Sequence, residues 1–172
     1  QRSGTGSEFV TASNNIIDEA SWDTFLAAAD STKIQITPRF GGTEVTPSEP
    51  IIEGGNTNET PLGQPIVTGD TIPVFTAQYF NLEPEIKRQL RQFICEGDMT
   101  GYLIDNNNVI IGWSTDSGAT ITGIPMSQIY IGSRGLGGIT ESDKNNFQFN
   151  FPIDWDEYLY KSTPNGWQPL YK

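Results

Sequence analysis

The run FNLEPEIKRQLRQFICEG, Phe80 to Gly97, is the clearest helix in a chain that otherwise reads as strands and loops. Glu83 or Asn81 stands at its N-cap, Pro84 suits the first turn, and Glu85 complements the helix dipole. Ile86, Leu90, Phe93 and Ile94 recur at i, i+4, i+7 and i+8, which makes one apolar stripe. Gly97 can take the left-handed conformation that ends a helix. The spacing thus predicts one main helix over about 83–96. Its stripe needs a partner layer, and what surrounds it is β-structure. Lys87, Arg88 and Arg91 lie off the stripe, and they are three of only ten cations.

Composition agrees with a β-rich surround. The 172 residues suit one domain with a sizeable core. Eighteen glycines and eleven prolines imply many turns and short strands. KIQITPRF, Lys33 to Phe40, alternates like a strand, with Pro38 marking an edge or an end. IVTGDTIPVFTAQYF, 66–80, reads as two strands about a Gly69-Asp70 turn. GYLID and VIIGWS flank Asp105 to Asn108, a hairpin signal because Asn and Asp tolerate positive φ. SQIYIGS is a further strand. FQFNFPI puts Phe147, Phe149 and Phe151 on one face. A second, short helix is expected over about 22–29, capped by Ser21, with Trp22, Phe25, Leu26 and Ala29 on one face. The expected fold is α+β and β-dominated, a sandwich or barrel of two packed sheets flanked by the main helix.

Two stretches stand apart. Residues 1–15 are small and polar and read as a flexible N-terminal arm before a single β-rich domain, 16–172. Residues 41–65 have little periodicity and read as one long loop, functional or disordered. Val45 and the pair Ile51, Ile52 are its apolar anchors, which could support a short hairpin, and in an assembly such a loop is the natural interface. The chain opens on Gln1 in place of Met, which reads as an end that is processed, trimmed or renumbered.

Twenty-one acids against ten Lys and Arg leave a net charge of −11. That argues against a nucleic-acid-binding surface and for solubility or a basic partner. No run is long and apolar enough for a membrane span, and no signal peptide is visible. No histidine is present, so the commonest general base and metal ligand is missing. The single cysteine, Cys95, excludes an intrachain disulfide and reads as a small buried hydrophobe.

The candidate chemical motifs are weak. Asp154, Asp156 and Glu157, with Asp98 and Asp105, offer carboxylates of the kind a glycosidase pairs, but a solvated acidic face is the plainer reading. Asp105 to Asn108 departs from a calcium loop at Val109 and lacks the following Gly and distal Glu. Gly132 to Gly138 lacks the lysine and following helix of a phosphate loop. The chain therefore reads as non-enzymatic, without cofactor or metal. Lys87, Arg88 and Arg91, with Arg134 among its glycines, read either as solvated cations or as an interface that docks on an acidic face of the next copy.

The order of elements, with IPVFTAQYFNLEPEIKRQLRQFICEGDMTGYLID, Arg134 to Gly138, Asp143-Lys144-Asn145, FPIDWDEYLYK and TPNGWQPL, resembles tailed-phage virion proteins of the tail-tube type, in phages and prophages of Bacteroidetes-like hosts. The resemblance covers most of residues 33–170. It implies a subunit of hexameric rings, with two packed sheets and a flanking helix, whose long loop and terminal arms bind adjacent rings. It also implies an acidic channel in which DNA is cargo that does not stick, other virion proteins as partners, and the virion as location. A head decoration, a connector or an adhesion module is the alternative. The start without Met and the second helix candidate depart from the family pattern.

Overall fold

The computed structural model describes residues 8–55, 63–95, 97–136 and 142–172. The fold is α+β and β-dominated, as the sequence predicts. Twelve strands run in chain order among the described residues: β1 (Phe9–Val10), β2 (Gly41–Thr46), β3 (Pro50–Glu53), β4 (Ile66–Asp70), β5 (Val74–Phe80), β6 (Met99–Gly101), β7 (Leu103–Ile104), β8 (Ile110–Trp113), β9 (Thr120–Ile121), β10 (Ile124–Gly135), β11 (Lys144–Asn150) and β12 (Leu159–Ser162). Helix α1 spans Glu19–Ala27, and α2 spans Pro84–Gln92, continued by a 3₁₀ turn at Phe93–Cys95.

The largest sheet has the order β2-β5-β11-β10-β6. Its ladders are antiparallel, with register shifts in β2 and β10, and the side chains divide by face along the β5–β11 pair. Phe75 lies opposite Phe149, Ala77 opposite Phe147 and Tyr79 opposite Asn145. All six are buried, whereas Thr76, Gln78, Asn146 and Gln148 point to the other, wetter face. The expected stripe Phe147, Phe149, Phe151 is thus the centre of the core. Phe75 stacks on Phe149 at 4.6 Å between centroids, and Phe151 stacks on Trp155 at 4.3 Å.

A three-stranded sheet, β12-β8-β7, packs on that core with Leu103, Ile111, Trp113 and Leu159, while α2 adds Leu90, Ile86 and Phe93. The helix ends in a tighter turn than its stripe implies. Ile94 and Cys95 are exposed, so the reading of both as buried is corrected. The 3₁₀ turn rotates these last positions away from the core that Leu90 enters.

The other face of the three-stranded sheet is buried too. Ile110 lies in a second core with Phe9, Ile16, Trp22, Phe25, Ile34 and Ile121. Helix α1 begins three residues before the predicted position, with Asp18 in the N-cap place and Ser21 buried inside it. Tertiary anchoring sets that register. The Trp22 indole donates to the Ile16 carbonyl at 2.8 Å, and the Trp167 indole to the Ile17 carbonyl at 2.7 Å. Lys172 pairs with Glu19 and Asp23 of α1 at 2.8 and 2.5 Å.

Three further expectations are corrected. Residues 8–15 are not a loose arm: β1 pairs with β9, and Phe9 is fully buried against Trp22, Phe25 and Tyr102. Residues 1–7 lie outside the described residues. Lys33 to Phe40 pairs with no strand. Ile34 instead donates its amide to the Phe25 carbonyl and buries its side chain behind α1. The stretch 41–65 is not one loop, because it holds β2 and β3, with 56–62 outside the described residues.

The hairpin at Asp105 is as predicted. Its carboxylate accepts the Asn107 and Val109 amides at 2.8 Å each, and Asn108 takes φ 60°. Asp116 builds a similar turn, accepting the Thr120 amide and the Ser114 hydroxyl at 2.8 Å each. These bonds, that of Thr120 foremost, hold its carboxyl below the ordinary 3.8.

Two outcomes follow for stability. Phe149→Ala should cost about 3–5 kcal/mol in denaturant unfolding, since the ring is enclosed by other rings that cannot collapse into the gap. Asp116 stabilises the fold above its unfolded pKa, and that contribution is lost as pH falls through the lower folded value. Thermal melts of Asp116→Asn should therefore show a lower melting temperature at pH 7 and a shallower decline below pH 4 than the parent protein.

Candidate assembly interface

The β3–β4 pair forms a sheet of its own, joined to no other strand. Its register sets Pro50 opposite Asp70, Ile51 opposite Gly69, Ile52 opposite Val67 and Glu53 opposite Ile66, with an irregularity between Ile51 and Ile52. The predicted Gly69-Asp70 turn is absent, because Gly69 is consumed in the ladder. The root is held by the Thr71 amide donating to the Glu49 carbonyl at 2.8 Å and the Glu49 amide donating to the Thr71 hydroxyl at 2.7 Å.

Side chains alternate across a ladder. Ile52 and Val67 therefore share one face of the ribbon, and Ile51 and Ile66 lie on the other. Neither face is covered: Ile51 is 45% exposed, Ile52 58%, Ile66 46% and Val67 61%. A lone two-stranded ribbon is marginal in water, and this one leaves four β-branched side chains exposed among the described residues. The sequence-predicted pair Ile51, Ile52 is thus half of a larger apolar feature. Ile66 and Val67 read in the sequence only as the start of a strand.

The basic candidates separate into two kinds. Arg134 is not free to reach outward as expected. Its guanidinium donates to the Leu82 carbonyl and pairs with Asp143 at 3.5 Å, tying β10 to the start of α2. It sits at the end of β10, opposite Asn145, so a strand register and not a flexible loop places it. Arg88 pairs with Glu85 one turn back, at 2.6 Å on the exposed helix surface. Lys87 and Arg91, one helical turn apart, make no ion pair among the described residues. Burial, then the charges of Arg91 and Arg134, lower the Lys87 pKa. The structure therefore brings Lys87, Arg91 and Arg134 into one positive field and leaves Arg88 to its own partner. Exposed Ile94 continues the Lys87–Arg91 face at the next i+3 step.

The acidic side has a pattern that runs through the whole first half. Between Arg39 and Lys87 there is no Lys or Arg, whereas Glu44, Glu49, Glu53, Glu59, Asp70, Glu83 and Glu85 all fall there. The ribbon and its root carry Glu49, Glu53 and Asp70, all exposed and without an ion-pair partner among the described residues. This segregation is legible in the sequence as a 47-residue gap in the cations (40–86).

The carboxylates singled out from the sequence do not converge: Asp154, Asp156 and Glu157 lie exposed in turns, and Asp105 accepts the amides of Asn107 and Val109. Asp98 borders an open cleft of about 400 Å³ whose other walls include Ile72, Met126, Phe151 and Ile153. Among the described residues, no group of three His, Cys, Asp or Glu side chains is placed to hold a metal ion. No helix among them is long and apolar enough to cross a membrane. Comparison with protein-family models, with curated proteins and with solved structures finds no match.

Arg134→Ala should act on stability. Losing a charge-assisted bond and a partly exposed ion pair should cost on the order of 1 kcal/mol in urea unfolding. Arg88→Ala, by contrast, should leave the midpoint within experimental error.

Proposed function

We propose that this chain is a non-enzymatic structural subunit of a tailed-phage virion, and specifically the tail-tube subunit that stacks as rings around an acidic channel. The observation that carries the reading is the β3–β4 ribbon, which is apolar on both faces and covered on neither. A side chain of this size gains roughly 1.5–3 kcal/mol from full burial, so covering the exposed halves of four returns about 4 kcal/mol. Association of two proteins costs about as much or more in lost freedom. One ribbon contact is therefore weak, and it becomes stable where ring closure makes several contacts at once.

Charge supports the same reading. A wall with net charge −11 per subunit repels phosphate and avoids the salt-dependent sticking that a basic surface produces, so DNA passes as cargo. Other copies of the chain and further virion proteins are the partners, and the assembled virion is the location.

Negative-stain microscopy and mass measurement on concentrated protein test this. Tubes or stacked rings are the expected result. Strictly monomeric protein, even at tens of micromolar, would count against it. Saturable binding to capsids without tube formation would instead point to the alternative, a head decoration, connector or adhesion module that uses the same ribbon.

A further inference from the structure

The ribbon needs an acceptor, and the distribution of charge identifies one. We propose that the β3–β4 ribbon of one copy docks on the α2 face of a second copy, setting Glu49 and Asp70 against Lys87 and Arg91. This rests on the assembly reading and adds the contact that carries it.

Three observations converge. Glu49 and Asp70 lack cationic partners among the described residues, and Lys87 and Arg91 lack anionic ones. In a chain with 21 acids and ten cations, that leaves the scarcer charge clustered and unused. Lys87 also sits in the repulsive field of Arg91 and Arg134, and an incoming carboxylate relieves that repulsion. Finally, both surfaces mix charge with apolar area. The ribbon offers Ile52 and Val67 on the face that carries Asp70, and exposed Ile94 follows Arg91 in the turn after the helix.

The contact is heterologous, ribbon to helix, so each copy retains an unused ribbon and an unused helix face. Such a contact propagates into a ring or a stack and does not stop at a dimer. Its charges act mainly on register and partner choice, while the apolar side chains supply burial. Raising salt should weaken it in proportion to the exposure of the pairs.

A mixing experiment tests the contact. One variant carries Lys87→Glu and Arg91→Glu, and the other carries Glu49→Lys and Asp70→Lys. Circular dichroism and melting temperature confirm that both fold. Each alone should need at least a tenfold higher concentration to assemble, followed by light scattering and microscopy. Mixed one to one, they should recover assembly, because each basic ribbon then meets an acidic helix and each acidic ribbon a basic one. Parent protein that assembles while either variant assembles equally well overturns this contact and leaves the assembly reading standing. Two defective variants that do not rescue each other overturn it as well, because docking within one chain gives that result. Parent protein that never assembles overturns the assembly reading and this contact together.

Discussion

The burial of the three-stranded sheet on both faces is the constraint on which the rest of the protein depends. Adjacent residues of β8 enter different cores: Ile111 faces the rings of the large sheet, and Ile110, fully buried, faces α1 and Phe9. A strand so placed cannot alternate apolar with polar, and VIIGW does not. Gly112 completes the arrangement. A methyl group there would stand 2.8 Å from Ile121 Cγ2 and 2.9 Å from the Thr122 carbonyl oxygen. The close approach lets Trp113 exchange backbone bonds with Thr122 at 2.8 Å each way, which joins β8 to the run between β9 and β10. The chain also passes from the large sheet to the small one through Gly101 and Tyr102, between β6 and β7. The two layers are therefore covalently stitched at one end and share a core along their length.

Local signals carried much of this. FQFNFPI alternates because one face of β11 meets a core and the other meets water, and that alternation survives in the sequence. The Asp105 and Asp116 turns are built by carboxylates that accept nearby amides, a purely local chemistry. The main helix was legible for the same reason, since its stripe, proline and acidic first turn all lie within a few residues of one another.

What escaped was everything decided at a distance. Phe9 lies in a polar stretch with no periodicity, yet it is a keystone of the second core because Trp22, Phe25 and Tyr102 close around it. The start of α1 was misplaced because two indole bonds to Ile16 and Ile17, not a serine cap, set where that chain segment turns. KIQITPRF has a strand's pattern but pairs with no strand, and propensity without a partner makes no strand. Arg134 looked exposed among glycines. Its strand register instead delivers it to Leu82 and Asp143, partners that are distant in sequence. Of the candidate site, Ile51, Ile52, Lys87 and Arg91 were named from the sequence, whereas the ribbon that unites the isoleucines with Ile66 and Val67 required the pairing of β3 with β4.

The segregation of charge bears on the proposed association. Net charge −11 keeps free copies apart through long-range repulsion, which screens out over roughly 8–10 Å at physiological salt. Within that distance the local arrangement takes over, and there Lys87 and Arg91 present the opposite sign to the acids of the ribbon. The uncovered apolar area of the ribbon is too small to hold two copies together by itself, so nonspecific pairing through it is weak. On the proposed ribbon–helix contact, pairing that also matches charge gains more than apolar contact alone, and it gains most where several contacts form together. Weak apolar attraction, repulsion at long range and a match of sign at short range thus favour one mode of contact over others, without requiring any single interaction to be strong.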